Sequence, residues 1–321
     1  MVGKLVLLSM LMLMFPISSI AQDNSSRSDL SAIKMEGRID LAGSNSLMVP
    51  DISLLGAADK SYLFDRLPVY TANQSINGTF SPSPGERSPP IDAKSKIKSK
   101  IKVCVSTFNI SEYTNGLPES RQFTGRDCIE TPVESNNSSA ASFRIPKKPA
   151  GMYMLSVVDE NSSTIISKQP FLVTEGEVVL EMNYTVASLE PFIRIKMNST
   201  VFENQSKFFA AFMIPSKDYE NASLNLSNNK TTGVLDLNLS LGSKSMQMHG
   251  SPRISSELLM NLLPLLPPNS AVGLQESTQP GVDLILMADL PWRTGYYVLT
   301  CGIYSPEKGL IGMKQTNVEV T

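Results

Sequence analysis

The chain has 321 residues, with 28 Lys and Arg against 30 Asp and Glu, for a formal net charge of −2. That balance excludes the general electrostatic attraction on which nucleic-acid binders rely. One histidine and three cysteines exclude a two-His metal site, and no CxxC or Cys/His spacing suggests zinc.

The first element is apolar. Lys4 precedes a run from Leu5 to Phe15, Pro16 breaks it, and Ser19-Ile20-Ala21 supplies small residues where a signal peptidase reads. We expect a secretory signal peptide over 1–21, cleaved after Ala21, then a flexible segment over 22–34. The run is shorter than the roughly 20 residues of a membrane span; an uncleaved N-terminal anchor is the alternative. No cysteine follows the cleavage point, and VEVT at the other end offers neither a span nor a GPI signal. The expected product is therefore secreted or held at the cell surface, with no integral span after cleavage. Roughly 300 residues remain, enough for two ordinary domains.

Most of the remainder alternates apolar and polar residues in short runs rich in Val, Ile, Phe and Tyr, between clusters of Asn, Ser, Gly and Pro. A first β-sandwich domain is expected over 35–175 and a second over 176–321. Within the first, SPSPGERSPP (81–90) reads as an exposed loop. KSKIKSKIKV follows, with Lys94, Lys96, Lys98, Lys100 and Lys102 at every second position. A period of two belongs to a strand, so the lysines share one face, about 7 Å apart. Ile97, Ile101, Val103 and Val105 take the other face, toward the core. The lysine row reads as a solvated face that guards an edge against aggregation; contact with an anionic glycan or polymer is the alternative. Aromatics for stacking nucleic-acid bases are absent from the row. Cys104 and Cys128 can close a disulfide in an exported protein. However, Cys104 shares the lysine face, so the bridge would lie on the outside or across a loop.

IPKKPAGMYMLSVVD (145–159) matches LPWRTGYYVLTCGIY (290–304) after one gap. Gly151, Tyr153 and Leu155 fall on Gly295, Tyr297 and Leu299, and Val157 falls on Cys301. Each run precedes a strand ending in an apolar pair, Phe171 and Val173 or Val318 and Val320. Upstream, KVCVSTFNISEY (102–113) aligns loosely with FFAAFMIPSKDY (208–219). The chain therefore reads as two copies of one β unit joined near 174–177. Cys301, in a valine slot, reads as a buried apolar group.

The second copy is longer, with an insertion expected near 240–281. It includes SPRISSELLMNLLPLLPPNS (251–270), where Ser255 or Ser256 can cap a short helix that Pro264 stops. The helix packs on the sandwich end or forms an apolar partner patch. His249, in SMQMHG, would carry any Ser-His-Asp site alone, and with Met246 and Met248 makes only a weak soft-metal pattern. Trp292, the one tryptophan, lies in the turn before Gly295, where packing is the default.

Asn occurs twenty times, and fourteen copies stand in N-x-Ser/Thr: Asn24, Asn73, Asn77, Asn109, Asn136, Asn137, Asn161, Asn183, Asn198, Asn204, Asn221, Asn225, Asn229 and Asn238. Such a density suggests a glycosylated surface; a surface merely rich in Asn, Ser and Thr is the alternative.

The G-x-Y-x-L strand pairs at 151–155 and 295–299 resemble the last two strands of immunoglobulin-like sandwiches, where an early tyrosine bonds backbone at a corner. Leu155 and Leu299 stand where antibody domains carry cysteine, so an antibody-type domain is not implied. Together with the exported, sequon-rich composition, the chain is similar to extracellular β-sandwich domains of methanogenic archaea. That resemblance implies an all-β fold of two tandem Ig-like sandwiches, the second with a short helical insertion, in an archaeal-type envelope. The expected function is structural or adhesive, without catalytic residues, cofactor or metal, with other envelope proteins or surface glycans as partners and no nucleic acid. Alternatives are a binding module for glycan, anionic polymer or protein, and a carboxylate-dependent glycoside hydrolase.

Overall fold

The computed structural model describes residues 33–35, 46–55, 61–80, 101–107, 128–131, 141–159, 165–201, 205–220, 222–228, 235–241, 244–249, 266–287, 292–306 and 309–321. The described part is nearly all β, in several sheets. The first nine strands are β1 (Ile33–Met35), β2 (Ser46–Leu55), β3 (Ser61–Thr71), β4 (Ile76–Phe80), β5 (Ile101–Thr107), β6 (Cys128–Thr131), β7 (Ala141–Ile145), β8 (Gly151–Asp159) and β9 (Ile165–Thr174). Then come β10 (Val178–Glu181), β11 (Thr185–Val186), β12 (Ile193–Ser199), β13 (Lys207–Pro215), a short helix α1 (Ser216–Glu220), β14 (Ala222–Asn228), β15 (Leu235–Leu241) and β16 (Lys244–His249). The last four are β17 (Ala271–Ser277), β18 (Gly281–Leu286), β19 (Gly295–Ser305) and β20 (Gly309–Val320).

Alternation in sequence becomes alternation in burial. In β7, Ala141, Phe143 and Ile145 are buried while Ser142 and Arg144 are exposed. In β12, Ile193, Ile195 and Met197 are buried while Arg194 and Lys196 are exposed. Such faces are satisfied only against a second layer, and two separate hydrophobic clusters result. The first holds Val103, Val105, Tyr153, Leu155, Phe171 and Val173. The second holds Phe209, Met213, Trp292, Tyr297, Leu299 and Cys301. Each fully buried side chain of this size contributes about 1.5–3 kcal/mol.

The same strand order occurs around both clusters. One side of the first is the sheet β1-β4-β7; the other is β3-β9-β8-β5-β6. The second lies between β10-β12-β18 and β11-β20-β19-β13-β17. Both larger sheets begin with a parallel pair, β3 with β9 and β11 with β20. The registers correspond too: Gly151 faces Val173 and Tyr153 faces Phe171, as Gly295 faces Val320 and Tyr297 faces Val318.

Two differences from the sequence reading emerge, the first of which follows from periodicity. Val105 pairs with Leu155 and Met213 with Leu299, so Val105 corresponds to Met213. The sequence alignment had set Val105 on Ala211. A slip of two leaves every side chain on its own face, and the hydrophobic pattern cannot detect it. The strands without a counterpart are β14, β15 and β16, which lie largely ahead of the expected 240–281 insertion; β17 belongs to the shared order. The short helix expected between Ser255 and Pro264 lies outside the described residues.

These extra strands join distant parts of the chain. Through α1, β13 leads to β14, which pairs in parallel with β2, Leu224 to Leu226 against Ile52 to Leu54. A nine-stranded sheet results, in the order β16-β15-β14-β2-β3-β9-β8-β5-β6. At the connection, Thr174 Oγ1 donates to the carbonyls of Gly176 (2.7 Å) and Tyr70 (3.2 Å). The Gly176 amide donates to the Ile311 carbonyl of β20 at 2.7 Å. The Thr174 hydroxyl and the Gly176 amide therefore tie 174–177 to both sets of strands.

Candidate functional surface

Each cluster closes on a tyrosine corner. The Tyr153 hydroxyl donates to the Pro149 carbonyl at 2.8 Å, and the Tyr297 hydroxyl donates to the Arg293 carbonyl at 2.9 Å. Both reach back four residues, over the turn that feeds the strand. Gly295 has a φ of 136°, a backbone region that side chains avoid. Tyr153 stacks on Phe171 with centroids 5.3 Å apart. Tyr297 meets Trp292 edge to face at 5.9 Å, and Trp292 Nε1 donates to the Glu190 carbonyl at 2.9 Å. Burial pushes the Tyr297 phenol above its ordinary value, with the bond to Arg293 acting in the opposite direction.

Cys104 and Cys128 face each other on β5 and β6 and form a disulfide. Cys104 is out of phase with the core residues Val103 and Val105, on the face it shares with Lys102. Cys301 is a free thiol buried in the second cluster. Burial pushes its pKa up, which keeps the thiol protonated and unreactive.

Of the lysine row, Lys94, Lys96, Lys98 and Lys100 lie outside the described residues. Lys102 is half-buried on the face opposite Val103. Its strand runs between β6 and β8, so around Lys102 the row does not guard an edge.

Six sequon asparagines are described. Asn73 and Asn183 are exposed in connections, and Asn77 and Asn198 are half-buried in the central strands β4 and β12. Asn225 and Asn238 face each other on β14 and β15. Asn24, Asn109, Asn136, Asn137, Asn161, Asn204, Asn221 and Asn229 lie outside the described residues. His249 and Met248 end β16, paired with Asp236 and Leu237. Among the described residues, no group of three or more His, Cys, Asp or Glu could hold a metal, and no helix is long and apolar enough to cross a membrane.

Two features had escaped the sequence reading. The first is a buried polar contact on the far side of the second larger sheet. There Gln315 Nε2 donates to the hydroxyls of Tyr219 (2.7 Å) and Thr300 (3.1 Å). It ties α1 to β19 and β20, and burial raises the Tyr219 phenol pKa well above its ordinary value.

The second is a contrast between the two three-stranded sheets. The outer face of β4 and β7 is polar, with Thr79 opposite Ser142 and Asn77 opposite Arg144. The corresponding face of β12 and β18 is apolar at one end. Ile285 (42% exposed), Met287 (68%) and Phe192 (38%) remain open there. Arg194, opposite Ile285, sits 5.2 Å from the centre of the Phe192 ring. The other end carries charge, with Lys196 bonded to Glu181 at 3.0 Å. The sequence did hold a signal: PFIRIKM and VDLILMAD place Phe192, Ile285 and Met287 where strict alternation calls for polar residues.

No family model matches the chain, and no curated protein matches it. Similar solved structures include red sea bream transglutaminase, at 11% identity over 79% of this chain and 30% of that one, with a TM-score of 0.28. A marsupial T cell receptor is similar at 8% identity over 78% of this chain and 98% of that one, with a TM-score of 0.19. Dimeric latent PorU from Porphyromonas gingivalis is similar at 11% identity over 93% of this chain and 21% of that one, with a TM-score of 0.20. The chain thus spans less than a third of the transglutaminase. Likenesses of this size carry no argument about activity or partners.

Proposed function

We propose that this chain is an exported cell-surface protein of two tandem immunoglobulin-like sandwiches, 35–175 and 176–321, with a structural or adhesive role and no catalysis. The repeated strand order with one tyrosine corner in each copy supports the tandem reading. The apolar segment at 1–21, the sequon density and the Cys104–Cys128 bridge support export. Kinship with methanogen envelope modules belongs to the same reading.

One observation carries the adhesive part. The outer face that is polar in the first copy is apolar around Ile285 and Met287 in the second. An exposed apolar group beside an arginine on the outer face of a sheet suits contact with another envelope protein. The test replaces Phe192, Ile285 and Met287 with serine and measures retention in washed envelope fractions. Release into the medium with an unchanged circular dichroism melt is expected. Undiminished retention would overturn the adhesive role, and turnover in a glycoside panel, lost on changing one Asp or Glu, would overturn the non-catalytic one.

A further inference from the structure

The sequons whose side chains are described fall into two physical classes. Asn183 is exposed between β10 and β11, and its Oδ1 accepts the Thr185 amide at 3.2 Å. That turn brings the third sequon residue up to the carboxamide oxygen of an exposed side chain. Asn73 is exposed in the turn between β3 and β4, where the Gln74 amide donates to the Thr71 carbonyl at 3.0 Å. Its sequon hydroxyl, Ser75 Oγ, accepts from Arg144 at 3.3 Å, so its own proton can still be donated elsewhere.

Asn198 is the opposite case. It lies in the central strand β12, paired with Val179 on one side and Gly281 on the other. Its carboxamide occupies the space a Cβ on Gly281 would fill, so any larger residue there would have to displace it. The sequon hydroxyl, Thr200 Oγ1, accepts the Glu177 amide at 2.8 Å and donates to the Glu177 carbonyl at 3.4 Å. The hydroxyl of this sequon is therefore bonded within the fold, and its carboxamide is packed over Gly281. Asn77 is likewise half-buried in a central strand, opposite Arg144.

We propose that Asn73 and Asn183 are N-glycan acceptors and that Asn77 and Asn198 stay unmodified. This rests on the export reading given above. The co-reactant is a saccharide activated as a phosphate or pyrophosphate ester at C1. The Asn side-chain nitrogen forms a bond to C1, the C1–O bond breaks, the phosphate ester departs with that electron pair, and the amide gives up one proton. A bulky sugar needs an open, bendable surface segment, which the two connections provide and the paired strands do not. The acceptors also differ in place. Ala72, beside Asn73, bonds the Thr174 carbonyl at 2.8 Å, which puts one glycan next to the 174–177 connection. Asn183 follows the end of β10 that points away from that connection.

The test expresses the full chain in a glycosylating secretory host in two forms, one with its own residues 1–21 and one with the host's leader in their place. Secreted protein is treated with glycan amidase in heavy-oxygen water, and occupancy is read peptide by peptide. With the host leader, label at Asn73 and Asn183 and none at Asn77 or Asn198 is expected. Label at Asn77 or Asn198, or a bare Asn73 or Asn183, overturns the proposal. Failure of only the form with its own leader counts against the export reading and leaves the site assignment standing.

Discussion

Tyr297→Phe tests whether the two clusters are separate folding units. The change keeps the ring against Trp292 and removes only the hydroxyl that donates to the Arg293 carbonyl at 2.9 Å. Arg293 is exposed, so its carbonyl can recover a bond to water, and the loss is about 1 kcal/mol. For a unit of this size that lowers the melting midpoint by ~3 °C. The assay uses an internal reporter. Trp292 is the one tryptophan in the sequence and is buried in the second cluster, so its fluorescence follows that cluster, while far-ultraviolet circular dichroism follows both. Tyr153→Phe makes the equivalent change in the first cluster, where the bond to Pro149 is 2.8 Å. Tyr297→Phe should displace the fluorescence midpoint, and Tyr153→Phe should displace the dichroism transition with a smaller effect on fluorescence. Equal displacement of the fluorescence midpoint by both variants would show one cooperative core and refute the reasoning.

Replacing Cys104 and Cys128 together with alanine opens a loop with a sequence separation of 24. On the chain-entropy model this costs about 3 kcal/mol, readable as a lower urea midpoint by circular dichroism with little change in Trp292 fluorescence. Alkaline conditions should destabilise the fold. Burial raises the phenols of Tyr219, Tyr297 and Tyr304 in the folded state. Their contribution is therefore complete below the ordinary tyrosine value near 10 and is lost as pH rises through the folded values. Burial raises the Cys301 thiol as well, so urea midpoints should stay level to about pH 8, begin to fall above about pH 8.5 and fall more steeply above about pH 10, and Tyr219→Phe should flatten the steeper part. Asn225→Pro removes an amide in β14 opposite Ser53 of β2. Hydrogen exchange over 46–55 should accelerate while the Trp292 transition holds; unchanged exchange there would mean the β2–β14 pairing contributes nothing.

How much was legible in the sequence varied with the range of the forces involved. The closing hairpins could be read residue by residue, because a glycine, a tyrosine two positions later and a short turn determine one another locally. The pairs Gly151 with Val173 and Gly295 with Val320 are the result. The preceding strand was read on the right face but two residues out of register, since alternation repeats every two residues and only the partner strand fixes the offset. The β2–β14 pairing was not legible at all. ASLNLSN and SLMVPDISLL are ordinary strand sequences, and nothing local selects a partner about 170 residues away.

The apolar outer face is a different kind of miss. Its signal was present as broken alternation, but a single copy gives no way to separate an exposed isoleucine from an edge effect. The duplicated strand order supplies the comparison. The β4–β7 face pairs Thr79 with Ser142, while the β12–β18 face pairs Arg194 with Ile285. Both sheets cover equivalent cores, so the demands of the core cannot account for the difference. Isoleucine and methionine on the described outer face of the second copy, against polar residues on that of the first, are the contrast on which the proposed contact rests, which is why the serine replacements target Phe192, Ile285 and Met287 rather than either core.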